Sequence, residues 1–260
     1  MKMTSNTPPV YVCSTQEMKN MRGCFVSDNH PYHIFILCSA GKGSIITEQL
    51  SESEILPGTL VYTSPAIFTA IRPISDDFSI RLLGFTGSVA ASLIEYCGIG
   101  ASDIIPELPA ELRDDFNTVF DRGCSDTGST MLSIYKLITR LSTVRADKTP
   151  RTFGEFIRTS FEKFVTRDLP YDIDTGNFCR GSGITERELW GLLGMPAEDF
   201  IADCRIREAK RLLVTRPDDK RETIAAYCGY SGANELEREF SKRAGETTDE
   251  FISRFGKVEN

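Results

Sequence analysis

The apolar residues of this chain change their repeat once, near Gly87, and that change dictates two kinds of secondary structure in sequence order. Before it, apolar residues come in short runs: HIFILC (33–38), GSIIT (43–47), TLVYT (59–63), IFTAI (67–71) and FSIRLLGF (78–85). Turn-forming stretches separate them (SAGKG, LPG, TSPA, PISDD). Runs of this length at this spacing predict β-strands of a barrel or sandwich over residues 10–86. SAGKG (39–43) lacks the spacing of a phosphate-binding loop and reads as a hairpin turn. The polar stretch around Glu48 to Glu54 reads as a solvated loop.

After Gly87 the spacing is helical. Residues 88–97, 111–122 and 130–144 place apolar side chains at i, i+3, i+4 and i+7. In the last of these Leu132, Tyr135, Ile138 and Leu141, with Leu137, are expected to make one face. RADKTPR (145–151) is charged, holds a proline and reads as a linker. Beyond it, residues 153–169 put Phe153, Phe156, Ile157, Phe161 and Phe164 on one broad face, and Pro170 stops the helix. Residues 197–214 form a second long helix with Phe200, Ile201, Cys204, Ala209, Leu212 and Leu213 inward. A short helix (223–228), a turn at Gly229-Tyr230-Ser231 and a helix from about Gly232 to Arg243 then follow. Gly229 is suited to a positive φ at a helix end, and Ser231 to capping the next helix. This is a helix-turn-helix layout.

Composition narrows the function. The 260-residue chain has net charge −7 and eight cysteines, with no C-x-x-C pair and two histidines, so no zinc spacing is present. The cysteines read as free thiols, mostly small buried hydrophobes. No stretch of 18 or more apolar residues and no signal-type leader appear, so a cytoplasmic protein without a membrane partner is expected. His30 and His33 form H-x-x-H with no third histidine, which argues against a metal; Cys38 near His33 lacks an orienting acid, which argues against an enzyme. No cofactor is expected.

The order Arg205, Ala209, Leu212, Leu213; Ile224, Ala225; Gly229, Tyr230, Ser231; Arg238, Phe240, Lys242, Arg243; Gly245 resembles the tandem helix-turn-helix domain of AraC/XylS-type bacterial transcription regulators. The resemblance extends over residues 152 to 256. More weakly, the N-terminal part resembles the cupin-like sensing and dimerisation domain of such regulators. The resemblance implies an α+β chain: a cupin-like β-barrel with following helices over 1–144, a linker at 145–151, and an all-α DNA-binding domain over 152–260. Its partners would be double-stranded DNA, a small-molecule effector and a second protomer.

Carried over by position, the base-reading residues of the second unit are Ala233, Asn234, Glu235 and Arg238. Asn and Arg suit adenine and guanine edges, and Glu235 suits cytosine N4. Lys242, Arg243, Lys210 and Arg211 are the expected phosphate contacts. The first unit, placed at 177–200, has a helix capped by Thr185 that runs only to about Leu193, one turn short of the family's, with Arg187, Trp190 and Gly191 in reading positions. Trp190, the sole tryptophan, reads more readily as packing than as a base contact. Glu235, Glu237 and Glu239 crowd carboxylates onto the second recognition helix, and residues 151–260 hold 18 Lys/Arg against 21 Asp/Glu, net −3. A helix-turn-helix domain usually leans basic. The alternative is therefore an acidic, degenerate helix-turn-helix protein that acts through protein–protein contacts. Leu236 and Thr248 replace the family's usual aromatic and proline.

Overall fold

The computed structural model describes residues 8–47, 52–124, 127–144 and 153–255. The chain divides into two compact units, 1–148 with 258–260, and 149–257. The expected linker at 145–151 lies outside the described residues. Among the described residues, no helix is long and apolar enough to cross a membrane.

The first unit contains β1 (Tyr11–Met18), β2 (Phe25–Ser27), β3 (His33–Ala40), β4 (Gly43–Thr47), β5 (Ser53–Ile55), β6 (Leu60–Thr63), β7 (Thr69–Pro73), β8 (Ser79–Thr86), α1 (Ala90–Tyr96), β9 (Ser102–Ile105), α2 (Ala110–Arg122) and α3 (Thr127–Val144). The strands form two antiparallel sheets, in the orders β1-β8-β3-β6-β9 and β2-β7-β4-β5. Both remain open, so the expected closed barrel is not what the hydrogen bonding gives. Each expected apolar run became a strand. β1, β2, β5 and β9 did not stand out, because they are short or mix polar residues into an edge position, where one flank needs no partner strand.

β3 explains the layering. Successive side chains of a strand point to opposite faces. Phe35 and Leu37 join Val12, Leu60, Tyr62, Leu83 and Phe85 in a core shared with Leu93, Phe116, Ile134, Leu137, Ile138 and Leu141 of the helices. Ile34, Ile36 and Cys38 point the other way, into a core with Ile45, Ile55, Ile71 and Phe78 of the four-stranded sheet. A strand covered on both faces reads as a continuous apolar run rather than an alternating one. The SAGKG turn is tight, with Gly41 at φ 69, but it is not a hairpin. It carries the chain from β3 in one sheet to β4 in the other. An added Cβ at Gly41 would lie 2.5 Å from Ser75 Oγ. Ser53 and Glu54, at the end of the expected solvated loop, pair with β4 instead, together with Ile55.

On α3, Ile134, Leu137, Ile138 and Leu141 are buried, whereas Leu132 and Tyr135 of the expected face are 67% and 48% exposed. The periodicity was right and its phase was off by part of a turn.

The second unit is all-helical: α4 (Phe153–Arg167), α5 (Thr175–Ser182), α6 (Glu186–Leu193), α7 (Ala197–Thr215), α8 (Arg221–Tyr227), α9 (Ala233–Ala244) and α10 (Thr248–Phe255). α7 is 19 residues long, and its six expected inward residues are all buried. Its first half packs Phe200, Ile201 and Cys204 with Ile157, Phe161, Val165, Phe178, Leu189 and Leu193. Its second half contributes Ala209, Leu212 and Leu213 beside α8, α9 and α10, whose Ile224, Leu236, Phe240, Phe251 and Phe255 are buried. Phe153 and Phe156 depart from expectation: both are 62% exposed, so the inward face of α4 is carried by Ile157, Phe161 and Val165.

Phe161 is fully buried and its ring meets those of Phe164, Phe178 and Phe200. Phe161→Ala should destabilise the second unit by about 3–5 kcal/mol through lost burial and the cavity left behind. Urea unfolding followed by helical circular dichroism measures it; a loss under about 1 kcal/mol would show that this core collapses around the deletion.

Candidate nucleic-acid interface

The first helix-turn-helix comprises α5 and α6. Asp174 caps α5, its Oδ1 accepting the Asn177 N–H at 2.9 Å, and Gly183 ends it in the left-handed region at φ 68. A reciprocal capping box starts α6: Thr185 Oγ1 accepts the Glu188 N–H at 3.2 Å, and Glu188 Oε2 accepts the Thr185 N–H at 2.8 Å. The Thr185 N–H, and after it the Thr185 hydroxyl, which also donates to Glu188 Oε2 at 2.8 Å, hold the Glu188 carboxyl below its ordinary range. α6 has 8 residues, as its caps predict, and Gly194 closes it at φ 75. Leu189 and Leu193 face inward, leaving Arg187, Trp190 and Gly191 outward. Trp190 is 57% exposed, so the expectation that it packs in a core is corrected, and it lies with Arg187 on the outward side of α6.

The second helix-turn-helix comprises α8 and α9. Gly229 lies between them at φ 77, and an added Cβ there would sit 2.4 Å from the Leu169 carbonyl oxygen and 2.9 Å from the Arg205 guanidinium. Both conformation and close approach demand glycine. Arg205 donates to the Tyr171 carbonyl at 3.1 Å and stacks 5.8 Å from the Tyr230 ring. The matching Arg205, Gly229 and Tyr230 are therefore one structural joint, which seats the turn against α7 and the α4–α5 connection.

Ser231 does not cap α9 as expected. Gly232 holds the N-cap position, and the Ser231 N–H and hydroxyl both donate to Glu235 Oε2, at 2.8 and 2.6 Å. Those bonds, the hydroxyl's first, lower the Glu235 carboxyl. Its Oε2 acceptor is thus engaged at the helix start, which leaves the cytosine reading of Glu235 without support. Glu237 accepts from the Thr248 hydroxyl at 2.6 Å and so anchors the start of α10. Glu239 lies 3.5 Å from Arg238 and 3.7 Å from Arg243. Each of the three glutamates has an internal partner.

Several expected phosphate contacts are also engaged inside the unit. Arg243 is only 16% exposed, and donates to Asp199 at 2.8 Å and Asp203 at 2.7 Å on α7. This placement opposes a phosphate role for Arg243. Arg211 pairs with Glu208 through two nitrogens, at 2.8 and 2.6 Å. Lys210 is half-buried, its Nζ 5.7 Å from the Phe251 ring. Ala233 is half-buried at the start of α9. What α9 presents outward is Asn234, Arg238 and Lys242, at i, i+4 and i+8 on one line of the helix. Arg238 is 69% exposed, with only long ion pairs to Glu235 (3.8 Å) and Glu239.

Elsewhere, His33 is buried in the first unit. His33 Nδ1 and the Tyr62 hydroxyl share a 2.7 Å hydrogen bond, and burial, with His30 nearby, pushes His33 down to about 4. Burial raises the Cys38 thiol to about 11, which suits an inert side chain, not a nucleophile.

Glu188, Glu235 and Glu250 each accept from the start of a helix, and each has its carboxyl lowered mainly by those bonds. A lowered folded value means that their stabilisation is complete above the ordinary carboxylate range and is lost as pH falls through the folded values. The urea midpoint of the second unit should therefore fall on acidification from pH 6 to pH 3, and the E188Q/E235Q/E250Q triple variant should show a shallower fall. An identical pH dependence in both proteins would remove these caps as its source.

Residues 185–254 match the family model described as a helix-turn-helix domain, which is not an enzyme family. No curated protein sequence matches the chain. Among solved structures, the fold is similar to that of ToxT from Vibrio cholerae in its 1.65 Å form, with TM-score 0.55 and 13% identity over 94% of this chain and 99% of that one. It is also similar to ToxT from strain O395, with TM-score 0.52 and 14% identity over 96% and 97%. The unsaturated-fatty-acid-bound ToxT of strain SCE256 gives TM-score 0.50 and 14% identity over 100% of both chains. At these identities the likeness is one of fold, and it spans both units. With the matching motif, the seven-helix unit and the family model in agreement, residues 185–254 are an AraC-type helix-turn-helix domain.

Proposed function

We propose that the protein is a sequence-specific DNA-binding transcription regulator, acting in the cytoplasm, in which an N-terminal domain (1–144) senses a small effector and pairs protomers, and residues 152–260 bind DNA. The observation that carries this reading is the outward line Asn234–Arg238–Lys242 on the second helix of a helix-turn-helix. Asn234 and Arg238 read base edges in the major groove, Lys242 contacts phosphate, and Arg187 with Trp190 meets the neighbouring segment of the groove. Lys210 and Arg211 contribute less, being engaged with Phe251 and Glu208.

The acidic balance does not oppose this reading. Glu239 is offset by the arginines Arg238 and Arg243, and Glu235 and Glu237 are engaged by Ser231 and Thr248 at the starts of α9 and α10. That weakens the case for a domain acting only through protein contacts. The effector reading is supported by a structural neighbour solved with an unsaturated fatty acid bound and by the likeness to the cupin-like domain.

Fluorescence anisotropy of the protein on its own promoter DNA, at about 50 and 200 mM salt, tests this: affinity should exceed that for scrambled DNA and fall with a log–log slope near −0.9 per phosphate neutralised. Arg238→Ala should cost about 1–3 kcal/mol on the preferred site. Lys242→Ala should reduce the salt slope by about 1, evenly across sequences. Arg243→Ala should instead lower the unfolding midpoint. Absence of binding at the lower salt, with or without effectors, would shift the reading to a protein partner.

A further inference from the structure

Eight cysteines are distributed along the chain, and burial separates them sharply. Cys24, Cys38, Cys97, Cys179, Cys204 and Cys228 are buried, whereas Cys13 is half-buried and Cys124 exposed. The two thiols with access to solvent line the same cavity. It has a volume of about 380 Å³ and is walled by Pro8, Tyr11, Val12, Gly123 and Thr130 besides the two cysteines.

The fold brings them together by two local irregularities. Cys13 is the extra residue of a bulge in β1, where pairing with β8 skips from Val12 to Ser14. A bulge re-aims a side chain out of the regular alternation. Gly123, at φ 57, ends α2 in a turn and lies against the same strand, an added Cβ there being 3.6 Å from Thr15 Oγ1. Cys124 is the next residue of that turn. α3, which follows, packs across β1. Thr130 on α3 is 3% exposed, and its hydroxyl has no hydrogen-bond partner among the described residues, although it lines the cavity. A buried polar atom left unpaired beside two thiols offers a hydrogen bond to an oxygen-bearing reagent.

We propose that Cys13 and Cys124 are an oxidisable dithiol that a small hydroperoxide converts to a disulfide linking β1 to the α2–α3 turn. The hydroperoxide O–O bond breaks as the exposed Cys124 sulfur takes one oxygen, giving a sulfenic acid and one molecule of water or alcohol. The Cys13 sulfur then attacks the Cys124 sulfur. An S–S bond forms, the S–O bond breaks, and the oxygen leaves as water with the Cys13 proton. Two electrons pass from the thiol pair to the peroxide, and a thiol reductant reverses the change. Burial, with Cys124 adding to it, pushes the Cys13 thiol up, in keeping with a resolving role and not that of first target. Reversible pairs of this kind are how a disulfide occurs in a reducing compartment. The site stands independently of the DNA reading.

The test uses the full reduced chain, treated with hydrogen peroxide, alkylated and mapped by mass spectrometry without reduction. The expected result is a single Cys13–Cys124 crosslinked peptide, lost on adding a thiol reductant, with the six buried cysteines alkylated after unfolding. Cys13→Ser should convert the same treatment into a sulfenic acid on Cys124 that dimedone labels, and Cys124→Ser should leave Cys13 reduced. Sulfenic or sulfinic acid on Cys124 of the parent protein without the crosslink would overturn the proposal. So would a crosslink between other cysteines, or dimers joined through Cys124.

Discussion

α7 is the helix on which the C-terminal unit depends. A helix of this unit normally buries one stripe, but α7 is flanked by two separate sets of helices and must be apolar toward both. Phe200, Ile201 and Cys204 belong to the first set, and Ala209, Leu212 and Leu213 to the second. The polar residues of α7 are used in the same way. Arg205 binds the Tyr171 carbonyl and stacks on Tyr230, Arg207 meets Glu162 and the Cys204 sulfur, and Asp199 and Asp203 hold Arg243 of α9. The tight turn at Gly229 can approach the Leu169 carbonyl and the Arg205 guanidinium of α7 only because it lacks a Cβ. The orientation of α9, and hence of its outward line, follows from this one helix.

That arrangement also settles how an acidic domain presents a basic line. Carboxylates at the starts of α6, α9 and α10 accept hydrogen bonds from backbone and hydroxyl donors, where the helix dipole favours negative charge. Others neutralise arginines that the fold turns inward. Exposed ion pairs contribute little to stability, but an arginine at 16% exposure held by two aspartates fixes the packing of two helices. Net charge counts every ionisable group equally, whereas a partner meets only those that face outward.

The N-terminal unit is organised around β3, covered on one face by helices and on the other by the second sheet. Its buried histidine and thiol are consequences of that layering: His33 is neutral beside Tyr62, and Cys38 is an apolar filler. The chemistry left accessible lies at the periphery, where the β1 bulge and the α2–α3 turn set two thiols at one cavity.

Much of this was legible in the amino-acid order. The apolar runs before Gly87 predicted five strands, and the helical spacing afterwards predicted most of the helices, though not α10 and not the strand β9 that lies among them. Thr185 and Gly229 marked a helix start and a turn, because a left-handed residue or a capping hydroxyl is a local requirement that needs no distant partner. The motif from Arg205 to Gly245 identified the domain for the same reason. The sequence did not show which apolar and charged residues face water. Leu132, Tyr135, Phe153 and Phe156 fit a helical stripe yet lie exposed, since the phase of a stripe is set by what packs on it. Arg238 and Arg243 stand five positions apart on one helix and appear equivalent as letters. Only the tertiary structure decides that the first is outward and the second is held by Asp199 and Asp203, because that choice depends on carboxylates some forty residues away that only folding brings alongside.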